Sequence, residues 1–236
     1  MDQTAPRHDA PHPPADRGED TRQRLLDAAL HVFGRDGYDG VSTRRIAALA
    51  GANVAAIAYH FGGKRGLYLA VARTVADRNA AILAPMEHHI TQAVCHSQGD
   101  PVALGRVLGR VVARMMAGLG SAREDGRAAF LVRELMMPSD AFDILYDAFF
   151  LPMNRALSAI AGAALGRPPD DPQSVMRGHL VFGAVMPLIA GRVVVERRLA
   201  CDILSDDTRP ATLAAAVASA CGSLGLPVPD VATLED

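Results

Sequence analysis

The segment that most limits the possible folds runs from Ser42 to Phe61. Two short runs with helical spacing, residues 43–50 and 54–60, are separated only by Gly51-Ala52-Asn53. Ser42 and Asn53 are both strong N-cap residues, so each run has its own start signal. Gly51 ends the first run after barely two turns. Ile46, Ala47, Leu49 and Ala50 supply the inner face of the first helix, and Ile57 and Phe61 that of the second. The small residues Ala47, Ala48, Ala50, Ala55, Ala56 and Ala58 let the two approach closely. Two short helices joined by a glycine-containing turn of three or four residues form a helix-turn-helix.

The flanks extend this unit. Leu25, Ala29, Val32 and Phe33 fall on one helical face between residues 20 and 36, and Gly37-Tyr38-Asp39-Gly40 breaks that helix. Tyr38 is placed to pack back onto the small core. A fourth helix begins after Gly62-Gly63 with Lys64-Arg65-Gly66-Leu67. The net charge of −2 hides an asymmetry: residues 1–20 carry −3, residues 21–75 carry +5, and the remainder −4. A compact basic segment on an acidic body suits a nucleic-acid-binding head. Charge alone fits a solvated surface equally well. Arg22 and Arg24, near the start of the first helix, are placed to reach phosphates.

Composition fixes the class of the rest. The chain has 42 alanines among 236 residues, 5% aromatics and no Trp. Alanine is the best helix former, so an all-α chain is expected and a β-sandwich or barrel is not. Three widely spaced cysteines give neither a disulfide framework nor a metal clip, which points to a reducing, cytoplasmic compartment. Burial is the expected state of all three. The longest apolar run, residues 180–191, contains Pro187 and falls short of the roughly 20 residues a bilayer needs, so no membrane partner is expected. Residues 1–19, with Pro6, Pro11, Pro13 and Pro14 and no apolar stretch, are expected to form a disordered tail rather than a signal peptide.

Gly37-Tyr38, then Ser42-Thr43-Arg44-Arg45-Ile46-Ala47, Ala50-Gly51, Ile57-Ala58-Tyr59-His60-Phe61 and Lys64-Arg65-Gly66-Leu67-Tyr68 together resemble the DNA-binding domain of the TetR (tetracycline-repressor) family. The resemblance covers about residues 20–70. It implies a dimeric, two-domain, all-α transcriptional regulator, usually a repressor released by a small molecule, acting on a palindromic operator in double-stranded DNA. By position it implies that Ser42, Thr43 and Arg44 contact phosphate. Val54, Ala55 and Ala56 would read bases in the major groove, Tyr59 and His60 would contact backbone or base edges, and Lys64 would grip a phosphate. Helix N-termini, hydroxyls and cations all favour phosphate. Lys64 is the only lysine in the chain. Two departures matter. Ala58 stands where the family often has Tyr or another larger residue, and Ala52 where Val is common. The reading surface is therefore small and apolar, suited to thymine methyl groups.

The remaining chain divides into a body, residues 71–226, and a frayed end, 227–236. Pro85 is expected to kink or end the fourth helix. Residues 102–119 read as a helix with Arg106, Arg110 and Arg114 on one solvated stripe, and 118–125 as a turn. Residues 128–137 follow. Ser139 should cap a long helix through Leu165. Residues 171–199 should form an apolar helix bent by Pro187, and 210–224 the last helix. Phe130-Leu131-Val132-Arg133-Glu134-Leu135-Met136-Met137-Pro138-Ser139, with Pro152, Leu165-Gly166 and Gly183, is similar to the C-terminal domain of the CecR-like branch of the same family. This similarity implies a small-molecule sensor near transport or detoxification genes. Phe130, Met136, Met137, Phe142, Tyr146, Phe149, Phe150, Met153, Phe182 and Met186 gather soft and aromatic side chains that suit either a pocket or a core. Arg133 and Glu134 suit either a pocket or an interhelical ion pair, and His179 a helix surface. A homodimer is expected through residues 171–199 and the last helix, with part of 139–165.

No nucleophile elbow, phosphate loop, dinucleotide loop, HExxH or CxxC occurs, so no enzyme, cofactor or metal is expected. The adjacent His88 and His89 diverge on a helix. A ligand-independent DNA binder or a partner-binding dimer is the alternative function. The large apolar body weighs against the former.

Overall fold

The computed structural model describes residues 14–234. All regular structure among them is helical. The chain divides into two compact units, Met1–Val71 and Ala72–Asp236.

The first unit contains α1 (Pro14–Asp36), α2 (Thr43–Leu49), α3 (Val54–Phe61) and the start of α4 (Lys64–Ser97). α1 begins earlier than the sequence suggested, so residues 14–19 are helix rather than tail. A proline in the first turn loses no hydrogen bond, and Arg22–Glu19 and Arg24–Asp20 pairs, each at 3.2 Å, brace the following turns. The rest of the expected tail, residues 1–13, lies outside the described residues. The core is Leu25, Ala29, Val32, Phe33, Ile46, Ala47, Ile57 and Leu67. Tyr38 packs back as expected: Tyr68 meets the rings of Phe33 and Tyr38 edge-on at 4.8 and 5.1 Å. Leu49 is the exception, because it points outward and is 59% exposed.

The second unit contains the rest of α4, then α5 (Pro101–Glu124), α6 (Arg127–Met136), α7 (Phe142–Leu145), a π-helical turn (Tyr146–Phe150) and α8 (Leu151–Leu165). α9 (Pro172–Val185), α10 (Pro187–Ala190), α11 (Arg192–Leu199) and α12 (Arg209–Leu224) follow. α8 lies along α9, and α12 packs on α5 and α9. The α8–α9 approach depends on Gly178, where a Cβ would sit 2.7 Å from the Ser158 backbone nitrogen. Leu104, Leu108, Val112, Leu157, Ile160, Val181 and Val217 form the core.

Several expected breaks are absent. α4 continues through Pro85 for 34 residues. An interior proline costs about 3 kcal/mol, and burial of Leu83 and Ile90 on either side offsets it. α5 likewise runs through Gly118 to Glu124, where a turn was expected; one interior glycine costs only about 1 kcal/mol. Ser139 does not cap a long helix. Its hydroxyl bonds the Glu134 carboxylate at 2.9 Å and accepts from the Ala141 N–H at 3.1 Å, and the helix starts at Phe142. The path to Leu165 then widens into a π turn, with the Leu151 N–H donating to the Tyr146 carbonyl. Pro152 follows directly and has no N–H of its own to give. The main bend in residues 171–199 is at Gly191, not Pro187: Pro172–Ala190 and Arg192–Leu199 differ by 58°.

Helical residues Phe142–Leu165 include an 18-residue stretch of mean hydropathy 1.3, long and apolar enough to cross a membrane by length and composition. Met153, Ala156, Leu157, Ile160 and Ala161 of this stretch are core residues of the unit, which accounts for part of the apolar composition.

The C-terminal segment is not frayed through residue 234. Leu226 and Leu234 are buried. Gly105 faces the Pro227 carbonyl with no room for a Cβ, and a Cβ on Gly109 would lie 2.8 Å from Pro229 Cγ. Two glycines one turn apart on α5 thus form the groove that holds the tail. The cysteines also differ from expectation. Cys221 is buried, and burial pushes its thiol pKa up, but Cys95 is exposed and Cys201 half-buried.

Candidate nucleic-acid interface and effector cavity

In the first unit the caps work as the residues suggested. Ser42 Oγ accepts from the Arg45 N–H at 3.3 Å, and Asn53 Oδ1 accepts from the Ala55 N–H at 2.9 Å. Each such cap contributes about 1 kcal/mol. They fix the starts of α2 and α3, leaving the first-turn N–H groups of both helices near solvent. Arg44 is exposed and Thr43 half-buried. Arg45 is committed elsewhere, pairing with Asp36 at 2.8 Å. The hydrogen bond from Arg35, and Arg45 beside it, hold the Asp36 carboxyl below the usual carboxylate range.

α3 presents Val54, Ala55 and Tyr59 outward, with Tyr59 85% exposed. Ala56 and His60 are half-buried, and the Tyr59 and His60 rings meet edge-on at 4.9 Å. Gly62, at φ 70°, stops the helix in the left-handed region. Gly66 lies against the Phe61 carbonyl, which leaves no space for a side chain there. This tight corner sets Lys64 at the start of α4, with its ammonium 4.3 Å from the centre of the Tyr38 ring. Arg22 and Arg24, read as phosphate contacts, are engaged with Glu19 and Asp20, and Arg22 also lies over the Phe61 ring at 5.7 Å. Exposed pairs of this kind are weak and exchange readily.

In the second unit a cavity of about 110 Å³ opens between α4, α5, α6, α8 and α9. Phe149, Phe150, Met153, Phe182 and Met186 line it. Phe130, Arg133, Glu134, Met137, Phe142 and Tyr146 do not. Phe130 is wholly buried in the protein, and Met137 is 70% exposed. Phe142 stacks on Phe150 at 5.7 Å, one ring removed from the cavity. Glu134, buried to 1%, accepts from the Ser139 N–H at 3.1 Å and its hydroxyl, and so ties the end of α6 to the following turn. Sequence reasoning missed Asn79, Ile82 and Met86 on α4, Arg114 and Met115 on α5, and Arg127 and Leu131 on α6. The available signal was the helical spacing of Asn79, Ile82 and Met86 on α4, at i, i+3 and i+7. Arg106, Arg110 and Arg114 are exposed, as a solvated stripe should be, and Arg114 also borders the cavity. Among the described residues no group of three His, Cys, Asp or Glu side chains could hold a metal.

Residues 25–71 match the model of bacterial regulatory proteins of the tetR family, and residues 103–220 that of the C-terminal domain of the HTH-type transcriptional dual regulator CecR. The chain is 28% identical over 179 residues to the CecR dual regulator of Shigella flexneri, covering 76% of this chain and 80% of that protein. A Mesorhizobium loti protein assigned to the TetR family has a similar fold, with TM-score 0.55 and 19% identity over 89% of this chain and 97% of that one. AmtR of Mycobacterium smegmatis gives 0.50 at 23% identity, over 93% of this chain and all of that one. These matches agree with the capped helix-turn-helix and the helical body: the chain belongs to the TetR family of DNA-binding transcriptional regulators, with a C-terminal domain of the CecR type.

Proposed function

We propose that the protein is a homodimeric, effector-released repressor that reads a palindromic operator near transport or detoxification genes in the cytoplasm. The observation that carries this reading is the outward face of α3. Val54, Ala55 and the 85%-exposed Tyr59 face outward and lie outside the buried core, and they stand beside capped helix starts and a positioned lysine. Residues 20–70 do the DNA binding and residues 71–226 the sensing and dimerisation. Ser42, Thr43, Arg44 and Lys64 hold phosphates. Val54, Ala55 and Ala56 read bases, and Tyr59 and His60 contact backbone or base edges. A two-fold dimer requires half-sites about 34–36 Å apart, or a multiple of one DNA turn.

The dimer forms through α9 and α12. α12 spends Val217, Cys221 and Leu224 inside its own subunit. Its opposite face carries exposed Ala215, Ala218, Ser219 and Gly222, small enough for close helix approach. Met176 and Leu180 of α9 are 59% and 53% exposed and need cover.

The effector occupies the cavity and binds best to a conformer whose two heads are spaced wrongly for the operator. Lys64 and the cavity-lining Asn79 belong to the same helix, α4, which gives the coupling a covalent route. By linkage, operator and effector weaken each other by the same factor. Titrating operator DNA with the full-length protein, with and without saturating effector, tests this. Reciprocal weakening supports it, and unchanged operator affinity at saturation refutes effector release. A ligand-independent DNA binder would leave the cavity without a role.

A further inference from the structure

We propose that the cavity takes an apolar monocarboxylate, one with a single ring or a short hydrocarbon chain. The inference rests on the cavity being the effector site. Its walls are almost entirely hydrocarbon, ring and thioether. Among the described residues, the polar exceptions are Asn79, Arg114 and Arg127, and none that lines it is acidic.

Arg127 decides the ligand's charge. It is 7% exposed and sits in the first turn of α6. Its Nε donates to Asp125 Oδ2 at 2.6 Å, and its backbone N–H to Asp125 Oδ1 at 3.0 Å. Among the described residues, nothing accepts from its two terminal nitrogens. Asp125 is also shared with Arg78, 3.7 Å away, so its charge is divided between two guanidiniums. A planar cation with two unused donors beside an apolar cavity matches a carboxylate in both charge and fork geometry. A neutral ligand leaves those donors unpaired, and an ammonium meets like charge.

Volume decides the size. An apolar cavity of about 150 Å³ holds benzene, and this one measures about 110 Å³. A six-membered ring therefore needs a small yield from its walls. Met86, Met115 and Met186 are the side chains that can give it.

The test uses the full-length protein with 13C-labelled methionine methyl groups and three probes of one shape: benzoate, toluene and benzylammonium. Met86, Met115, Met153 and Met186 report on the cavity, and the exposed Met136 and Met137 serve as controls. Benzoate should shift the cavity signals and bind at least roughly tenfold tighter than either isostere, as charge-assisted bonds to a buried cation do. Arg127→Gln should remove that preference and leave toluene unaffected, and Arg127→Lys should restore part of it. Equal binding of toluene and benzoate, or tightest binding of benzylammonium, overturns the carboxylate claim and leaves the cavity as an effector site. If no probe moves a cavity signal, both readings fall. Should the Arg127 variants not fold, the ranking of the three probes on the unaltered protein decides alone.

Discussion

The ammonium of Lys64 rests 4.3 Å from the centre of the Tyr38 ring, which packs in turn against Tyr68 and lies 6.2 Å from Phe33. The chain's one lysine thus stands on an aromatic platform built from the core of the first unit. A cation held over a ring keeps its charge and loses some freedom before it meets a phosphate. Lys64→Ala should weaken binding to operator and random DNA alike, and should lower the slope of log affinity against log salt by about one. Tyr38→Leu should give a smaller loss of the same kind. Fluorescence anisotropy at several salt concentrations measures both, and an unchanged slope in Lys64→Ala would remove the phosphate contact.

Substitutions on α3 should behave differently. Ala55→Ser or Ala56→Ser adds a hydroxyl to the proposed reading surface while leaving the Ile57 core contact intact. Each should change which bases are preferred, by about 1–3 kcal/mol at the affected positions. Selection from a randomised operator library reads this out. Loss of affinity with the same consensus sequence would assign these residues to packing instead.

The α5 groove makes a stability prediction. Gly105→Ala places a methyl group where the Pro227 carbonyl lies, so the tail must lift or α5 must shift. Overpacking of this kind costs about 1–3 kcal/mol, or several degrees of Tm in a chain of this size. Gly118→Ala, where nothing lies within 4 Å of an added Cβ, should be neutral or slightly stabilising. Thermal unfolding with carboxypeptidase digestion separates the two. An unaltered Tm and a protected tail in Gly105→Ala would contradict the packing.

How legible each part was in the sequence follows from where its structure is decided. The first unit is specified locally: Ser42, Gly51, Asn53 and Gly62 each fix one helix end through a cap or a left-handed turn, and both caps are present at short distance. The body is specified by tertiary burial, which overrides local breakers. Pro85 reads as a kink or an end, and Gly118 as the start of a turn, because their local cost is visible and the burial of Leu83, Ile90 and Met116 is not. Leu49 read as core because it has the right spacing, but a two-turn helix has only one buried side, filled by Ile46 and Ala47. Ser139 has the residue type of an N-cap, but a buried carboxylate five residues earlier claims it. Five lining residues, Phe149, Phe150, Met153, Phe182 and Met186, were legible as soft side chains on the π turn, α8 and the end of α9. The lining from α4, α5 and α6 was not, because which faces of those helices converge is decided by tertiary packing.

Asp171 supplies a pH dependence. Its carboxylate caps α9, accepting from the Gln173 N–H at 2.8 Å, with Arg167 at 3.2 Å. The Gln173 bond first, and Arg167 with it, hold its pKa below the ordinary value. The folded state therefore binds this proton more weakly than the unfolded state. The stabilisation is present above the unfolded pKa of about 4 and is lost as pH falls through the lowered folded value. Asp171→Asn keeps an acceptor at the cap but does not titrate. The Tm advantage of the unaltered protein over Asp171→Asn should hold from neutral pH to about 4 and shrink below it. A constant difference down to pH 3 in thermal unfolding would place the titration elsewhere.

In the proposed function, α3, carried in a dimer, reads a specific inverted repeat. Genomic footprinting with the purified full-length protein tests it most directly. The recovered fragments should share one short palindrome, whose half-sites are spaced by about one DNA turn or a multiple of it. Recovery of DNA with no shared sequence, or of half-sites with no fixed spacing, would contradict it.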